Sequence, residues 1–276
     1  MKLIRINTHI DKDIVLGGDY TFYENIVDGA YRYELKRNGY PYAIRAWRKL
    51  FLFLFLSNYI FNLLKEKEKL NIIDLGCGNC FLLKILETNF VEYPKKTINY
   101  FGIDLNENIL RDFYNKNKEK INKINATLIV HNLLEGIPFE NDYFDVAVCL
   151  EVIKYWKKEK IPIFLKEVYR VLKKEGIFFL STQGIFENNS IDLNDFLKKY
   201  ENLGIKSAFY IEEFLKVLEE AGFNVLKIYS TEGRVPNEII NCNKEIFNIF
   251  PMEILDVLFG FFDKRCHSKL FILKKQ

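Results

Sequence analysis

Short apolar runs alternate with amphipathic stretches between residues 70 and 182. Five runs have the length and composition of buried strands, at 71–75, 99–105, 126–131, 144–150 and 176–182. Between them, apolar residues recur three and four positions apart at 81–88, 107–115 and 161–172, which is the spacing of one helix face. Strands that alternate with helices in this way predict βαβ units. The predicted fold is therefore a doubly wound α/β domain whose sheet is mostly parallel and covered on both faces.

The flanking regions add helices on one side and a sheet edge on the other. The run at 50–61 is too short and too interrupted to cross a bilayer, which needs about 20 apolar residues, so it predicts a buried helix within a longer helix at about 44–69. A helix at 211–221, a strand at 223–229 and a last strand at 267–274 are compatible with an antiparallel hairpin at one edge. A helical insertion is predicted at about 237–262, before the last strand. We divide the chain into an N-terminal extension with lid helices, 1–69, and a core, 70–276.

Composition narrows the class of protein. Hydrophobic residues make up 49% of the 276 residues and charged residues 28%, which excludes a disordered chain. The formal charge is only +3, and there is no basic block, so electrostatics do not favour a nucleic-acid partner. Five cysteines without paired spacings favour a reducing compartment, and the N-terminus lacks the apolar core of a signal peptide. We therefore expect a cytoplasmic protein without a transmembrane segment.

The clearest chemical signal follows the first buried strand, in the segment from Asp74 through Gly76 to Gly78. Glycines allow the backbone to approach a ligand, and the following helix begins with free N–H donors. A dinucleotide site would need a third glycine where this chain has Phe81, and Asp74 suits a ligand with a cationic amine rather than a phosphate. Asp104 ends the second strand, where a carboxylate can accept bonds from ribose hydroxyls. The predicted ligand has a ribose and an amine.

These segments resemble the class I S-adenosylmethionine-dependent methyltransferases, especially the branch typified by the ubiquinone/menaquinone-biosynthesis enzymes. The resemblance covers about residues 20–230 and rests on ordered motifs at 22–31, 74–78, 102–104, 132–139, 141–153 and 167–177. It implies a Rossmann-like methyltransferase fold, S-adenosylmethionine as the cofactor and S-adenosylhomocysteine as its product.

The resemblance also implies roles for individual residues. Asp74 would face the methionine amine and Asp104 would bind the ribose, with Leu105 packed on the adenine. The remaining positions expected around the cofactor are Gly76, Cys77 and Gly78 in the glycine turn, Asn132 and Leu133 at the adenine, and Leu150 and Glu151 at the methionine side.

Three positions depart from the family pattern. Cys80 replaces the third glycine of the first motif, and Asn132 replaces an acidic adenine contact whose place its amide oxygen can take. Many relatives end the fourth motif in Glu-His, where this chain has Lys154 and Tyr155, so a histidine base is absent there. Candidates for proton transfer are Tyr155, Tyr31 and His131, for which packing or a structural role is the alternative. Cys77 and Cys80 lack the second ligand pair of a zinc site, so no metal site is predicted.

The expected reaction is SN2 transfer of the sulfonium methyl group to an oxygen or nitrogen atom of a small or lipid- or sugar-linked acceptor. The Tyr-rich N-terminus, a loop at 183–210 and the apolar insertion at 237–262 would form a lid over the strand ends, although the insertion could equally be a homodimer interface. Two alternatives remain open. One is an inactive relative that binds the cofactor and regulates a partner; the other is an RNA methyltransferase, which would need a basic face or an RNA-binding module. A nucleotide-dependent dehydrogenase fits least well, because the third dinucleotide glycine is absent.

Overall fold

The computed structural model describes residues 1–6, 40–90, 93, 95–187, 191–230 and 267–276. In this part of the chain one sheet holds eight strands in the order β1-β4-β3-β2-β5-β6-β10-β9, and a second small sheet pairs β7 with β8. The strands are β1 (Lys2–Arg5), β2 (Lys69–Leu75), β3 (Thr97–Asp104), β4 (Asn125–Val130), β5 (Phe144–Leu150), β6 (Leu172–Gln183), β7 (Ile185–Phe186), β8 (Phe209–Tyr210), β9 (Phe223–Ser230) and β10 (Ser268–Lys275).

Neighbouring strands from β1 to β6 are parallel, whereas β10 runs antiparallel to both β6 and β9. The helices of the described chain are α1 (Tyr40–Glu66), α2 (Phe81–Asn89), α3 (Glu107–Asn117), α4 (Ile161–Val171), α5 (Leu193–Lys199) and α6 (Ile211–Glu220). The five central strands, the helices between them and the antiparallel final strand confirm the doubly wound α/β fold predicted from the sequence.

Each face of the sheet is covered by its own helices. Successive side chains of a strand point to opposite faces, and in β2 Ile72 packs in the cluster that includes Leu56 of α1, whereas Ile73 packs in the cluster that includes Phe164 of α4. Both isoleucines are fully buried. Burial on both faces explains why the central strands are continuous apolar runs rather than alternating ones.

Two differences between the observed and the predicted element boundaries have a clear structural cause. The long helix ends at Glu66, because Lys69 already pairs with Thr97 as the first residue of β2. Strand β6 begins at Leu172 instead of residue 176. Its pairing with β5 shifts register between Phe144 and Val146, and Glu175 has a φ of 65°. This irregularity resembles a turn in the sequence, which is why the strand was predicted to start after it.

The sequence analysis expected a loop at residues 183–210, but the structure shows secondary structure there. They contain β7, β8 and α5, and they bury a small apolar cluster of their own, formed by Phe186, Phe196, Ile205 and Ala208. Strand β1 was not predicted either; it is a four-residue strand that extends the sheet beyond β4. The motif at 22–31, with Tyr31, and the insertion at 237–262 lie outside the described residues. The division at residue 69 stays a prediction.

Within the described part of the chain, no helix is long and apolar enough to cross a membrane.

Two aliphatic residues of α4 provide a matched test of this packing. Leu165 is fully buried, whereas Ile163 is 59% exposed. We expect Leu165→Ala to lower the free energy of unfolding by about 2–5 kcal/mol, because it removes buried methyl groups and leaves a cavity. Ile163→Ala should change it by less than about 0.5 kcal/mol. Urea denaturation of both variants measures the difference, and equal losses would contradict this placement of α4.

Candidate active site

The predicted site residues that the structure describes lie near the carboxyl ends of neighbouring strands in the sheet. Strands β4, β3, β2 and β5 are neighbours in this order and parallel, so their carboxyl ends lie side by side. Asp74 lies near the end of β2 and the glycine turn follows it, Asp104 ends β3, Asn132 follows β4, and Glu151 follows β5. Strand β2 lies between β3 and β5, and the strands that follow it along the chain are added first on the β3 side and then, from β5 onwards, on the opposite side. Such a topological switch point opens a crevice in which α/β proteins bind ligands.

The two glycines of the turn have different functions. Both have a positive backbone φ, 77° for Gly76 and 51° for Gly78, which residues with a side chain rarely adopt. A Cβ on Gly76 would overlap the Cγ2 atom of Val152, so this glycine is required by packing. A Cβ on Gly78 would meet nothing within 4 Å, so this glycine borders open space. A ligand can therefore approach the backbone at Gly78.

Asp104 connects the turn to the next helix. One carboxylate oxygen accepts a hydrogen bond from the Gly78 N–H and the other from the Asn106 N–H, both at 2.8 Å. Burial raises the pKa of Asp104 above its usual range, although the N–H donors of Asn106 and Gly78 oppose the shift. The backbone N–H of Leu105 is a third donor that opposes the shift. A carboxylate can accept about four bonds in total, so the Asp104 carboxylate retains acceptor capacity for a ligand. The carboxylate is held rigidly beside the open space at Gly78.

Asp74 lies deeper, on β2. It is 5% exposed, and its Oδ2 accepts a hydrogen bond of 2.6 Å from the hydroxyl of Tyr100, which is fully buried. Burial raises the pKa of Asp74 to about 7; the bond from Tyr100 opposes this shift, and the negative charge of Asp104 adds to it. No cation is paired with Asp74 among the described residues. A buried carboxylate of this kind favours a cationic ligand group.

The segment after β4 is stabilised by its own polar contacts. The Asn132 side-chain oxygen accepts a bond of 3.0 Å from the Leu134 N–H and so caps a short 3-10 turn. The His131 ring lies 2.9 Å, through Nε2, from the carbonyl oxygen of Gly136, and the residue is buried. The bond from the Leu134 N–H fixes the orientation of the Asn132 side chain at the carboxyl end of β4.

Two residues that the sequence analysis did not single out stabilise the rest of this segment. Arg170 donates to the carbonyl oxygens of Phe139 and Ile137 at 2.7 and 2.8 Å, and Glu167 accepts from the Ile137 N–H at 3.0 Å. Both lie on α4, one turn apart, within the motif at 167–177. A buried loop has backbone groups that need partners, but the sequence does not reveal that α4 supplies them.

A buried ion pair follows β5. The ammonium of Lys154 lies 2.8 Å from the carboxylate of Glu151 and 3.2 Å from the side-chain oxygen of Gln183, and the Ser181 hydroxyl donates to Glu151 at 3.0 Å. Lys154 is 6% exposed, and Glu151 has a φ of 63°. The sequence analysis noted Lys154 only as a departure from the family pattern.

The proton-transfer candidates are only partly placed. Tyr155 is half-buried at the end of the 3-10 turn that follows Glu151, and its ring centroid lies 5.2 Å from the Lys154 ammonium. His131 contacts the Gly136 carbonyl in the segment after β4. Tyr31 lies outside the described residues. A catalytic role for each of the three stays a prediction.

The two cysteines of the glycine turn are both buried, with their sulfur atoms 3.7 Å apart. Burial raises the pKa of each thiol, so both are held in the uncharged form. The described residues contain no group of three or more side chains that could hold a metal ion.

The remaining predicted positions adjoin the same crevice. Leu105 and Leu150 are half-buried at the ends of β3 and β5, and Leu133 is buried after β4. The site thus offers three features to a ligand. The Asp74 carboxylate, without a paired cation in the described part of the chain, fits an ammonium group, the rigid Asp104 carboxylate beside Gly78 fits a ribose diol, and the leucines fit an adenine ring. This donor set fits S-adenosylmethionine.

This chain is similar to known proteins. Residues 73–180 match the family model described as a methyltransferase domain. The uncharacterized protein MJ1252 of Methanocaldococcus jannaschii is 26% identical over 182 residues, which cover 58% of this chain and 64% of that protein. The chain thus spans less than two thirds of this relative's length. The ubiquinone/menaquinone biosynthesis C-methyltransferase UbiE of Campylobacter jejuni is 25% identical over 202 residues, 66% of this chain and 79% of the enzyme.

Among solved structures, an S-adenosylmethionine-dependent methyltransferase from Archaeoglobus fulgidus superimposes with a TM-score of 0.52 at 19% identity, covering 90% of this chain and all of that one. At this level of identity the likeness establishes the fold.

The different functions of the two glycines can be tested by stability. Gly76→Ala and Gly78→Ala both place a side chain at positive φ, which costs roughly 1–2 kcal/mol. Only Gly76→Ala also overlaps the stiff, branched side chain of Val152, which should cost about 1–3 kcal/mol more. Val152→Ala should recover part of the extra loss in a double variant. Thermal or urea denaturation measures these free energies, and equal losses for the two glycine variants would contradict the packing role of Gly76.

The buried carboxylate predicts an unusual dependence of stability on pH. The pKa of Asp74 is raised in the folded protein to about 7, so the folded state binds this proton more tightly than the unfolded chain. Ionisation of Asp74 therefore lowers stability as the pH rises through about 4 to 7. We expect Asp74→Asn, which keeps an acceptor for Tyr100, to gain stability relative to the wild type by up to about 1.4 kcal/mol per pH unit across this window. Paired urea titrations of both proteins measure the difference; a constant difference across the window would show that Asp74 does not titrate there.

Proposed function

We propose a methyl-transfer reaction for this chain, from the premise that it belongs to the class I S-adenosylmethionine-dependent methyltransferases, a group that includes the ubiquinone/menaquinone-biosynthesis enzymes. The donor is S-adenosylmethionine, the product of the donor is S-adenosylhomocysteine, and the acceptor is an oxygen or nitrogen atom of a small or lipid- or sugar-linked molecule. When bound, S-adenosylmethionine supplies a methyl group made electrophilic by its sulfonium.

The observation that carries this proposal is the juxtaposition of Asp104 with the open backbone at Gly78. Their hydrogen bond of 2.8 Å fixes the carboxylate where a ligand can approach both groups. Asp104 would accept bonds from the ribose hydroxyls, and Asp74 would pair with the methionine ammonium through Oδ1, since Tyr100 engages Oδ2. Asn132, whose side-chain oxygen accepts from the Leu134 N–H, would contact the adenine amine.

The chain's contribution to the reaction is alignment and exclusion of water. Holding two reactants in the correct geometry can supply roughly 7–11 kcal/mol of the barrier. Leu105, Leu133 and Leu150 would exclude water around the cofactor, and the ion pair of Glu151 with Lys154 would mark the acceptor side after β5. The acceptor would then lie over the carboxyl ends of β5 and β6.

The charges around Glu151 bear on the nature of the acceptor. Both of its carboxylate oxygens accept hydrogen bonds, one from Lys154 and one from Ser181, so both are engaged by donors of this chain. This arrangement suits an acceptor that needs little deprotonation. A neutral amine meets this condition, whereas a hydroxyl would use Tyr155, Tyr31 or His131. Carbon is the alternative acceptor atom, as the name of the Campylobacter relative indicates for that enzyme.

Calorimetric titration with S-adenosylhomocysteine tests cofactor binding first. We expect the wild type to bind, and Asp104→Asn to weaken binding by about 10- to 100-fold, because a hydrogen bond to a charged group contributes roughly 1.5–3 kcal/mol. The matched control is Asp112→Asn, an exposed residue of α3 paired with Lys116, which should bind as the wild type does. Thermal melting of each variant verifies that it is folded.

Turnover is tested with S-adenosylmethionine carrying a carbon-13 methyl group and panels of amines, phenols and glycolipids. The chemical shift of the new methyl signal distinguishes nitrogen, oxygen and carbon products. No binding by folded wild type would reject the proposal. Binding without any methylated product would favour the alternative, a cofactor-binding relative that regulates a partner.

A further inference from the structure

We infer that Tyr100 is a positioning residue for the cofactor: its hydroxyl orients the Asp74 carboxylate towards the ammonium group and sets the pH below which the cofactor no longer binds well. The inference rests on the proposed function, because Asp74 is the residue proposed to pair with the methionine ammonium.

The first observation is the packing of Tyr100 across two strands. In the parallel pairing of β2 with β3, Asp74 lies opposite Gly102 and Ile72 lies opposite Tyr100, so the four residues share one face of the sheet. A Cβ on Gly102 would lie 3.0 Å from the Tyr100 ring and 2.9 Å from the sulfur of Cys77. The missing side chain of Gly102 therefore leaves the space through which the Tyr100 ring reaches Asp74.

The second observation is the hydrogen bond itself. The Tyr100 hydroxyl donates to Oδ2 of Asp74 at 2.6 Å, in a region where both residues are almost completely buried. Hydrogen bonds to a charged acceptor are short and strong, and a buried one fixes the orientation of the carboxylate. Because the carboxylate is planar, the bond of Tyr100 to Oδ2 also fixes the direction of Oδ1, the oxygen that would face the ligand.

The third observation is that the neighbouring groups do not neutralise Asp74. Its titratable neighbours are anionic or uncharged: Asp104 on β3, the thiols of Cys77 and Cys80 in the glycine turn, and the thiol of Cys149 on β5. Glu151 after β5 acts on Cys149, and Lys84 of α2 acts on Cys80. Tyr100 is thus the hydrogen-bond donor that opposes protonation of Asp74, against burial and the charge of Asp104.

These contacts predict how binding changes with pH. The pKa of Asp74 is raised to about 7, so the carboxyl group is ionised above this pH and protonated below it. A protonated Asp74 cannot pair with an ammonium, and linkage then weakens cofactor binding by about tenfold per pH unit below the pKa. Without the Tyr100 hydroxyl the carboxylate loses a stabilising bond, so the pKa rises further and binding fails at higher pH.

The test measures dissociation constants from about pH 5.5 to 7.5 for the wild type, for Tyr100→Phe and for Tyr143→Phe. Tyr143 is a half-buried tyrosine that packs on Phe101 and Phe144, and its substitution is the matched control for loss of one hydroxyl. Two ligands are compared: S-adenosylhomocysteine and 5′-methylthioadenosine, which has the same nucleoside and thioether but no amino-acid group. Melting curves establish that each variant is folded.

We expect binding of S-adenosylhomocysteine by the wild type and by Tyr143→Phe to weaken about tenfold per unit at the acid end. For Tyr100→Phe the pH below which this weakening begins, the acid limb of the binding curve, should rise by at least about half a pH unit. Binding of 5′-methylthioadenosine should not change with pH in any of the three proteins. A merely structural role of Tyr100 would weaken both ligands at all pH values without moving the limb.

Three outcomes separate the hypotheses. An unshifted acid limb in folded Tyr100→Phe would overturn the role of Tyr100, even though the cofactor binds. No binding of S-adenosylhomocysteine by the wild type at any pH would instead reject the proposed function. Should Tyr100→Phe fail to fold, carbon-13 NMR titration of the Asp74 carboxyl in the wild type decides: a midpoint near neutral pH that falls when S-adenosylhomocysteine binds supports the inference, and a midpoint below about pH 5 overturns it.

Discussion

The geometry of the site depends on how the Asp104 carboxylate is satisfied. A buried carboxylate needs hydrogen-bond donors, and Asp104 obtains them from the backbone N–H groups of Gly78 and Asn106. One acceptor thus joins the glycine turn after β2 to the start of α3 after β3. The turn is attached to β3 a second time, because the N–H groups of Gly76 and Cys77 both donate to the Ile103 carbonyl at 2.8 and 3.0 Å. The crevice has its shape before any ligand arrives, and such preorganisation lowers the cost of binding.

The carboxylates of Asp104 and Asp74 differ in how many hydrogen-bond donors surround them. Asp104 is surrounded by donors and serves partly as a structural link. Asp74 has one donor, Tyr100, and no paired cation among the residues that the structure describes. A charge buried in this way lowers stability above its pKa, and proteins retain such strain chiefly at functional sites. The arrangement lowers the stability of the free protein, and in the function proposed above a cationic group of the ligand would compensate the charge.

Support for the site extends well beyond the residues that would touch a ligand. Arg170 and Glu167 of α4 hold the segment after β4 by its backbone, and Lys154 holds Glu151 after β5. The carbonyl of Lys154 also accepts the N–H of Lys206 at 2.7 Å, which ties residues 205–208 to the same turn. The segments after β4 and β5 are thus supported by a few polar contacts, and rigid support of this kind is needed for precise alignment.

The sequence by itself determined the elements and the ligand class. Continuous apolar runs predicted central strands because burial on both faces removes any need for alternation, and carboxylates beside glycines at strand ends predicted a ligand with an amine and a ribose. Tertiary structure alone decided which glycine packs and which borders the crevice, because Gly76 and Gly78 look alike until Val152 is placed beside one of them. Likewise Tyr100, Arg170 and Lys154 are common residue types, and they acquire functions only through partners 26, 31 and 29 positions away in the chain. Hydrophobic periodicity is local and can be read from the chain, whereas the partner of a buried polar group depends on which strands become neighbours.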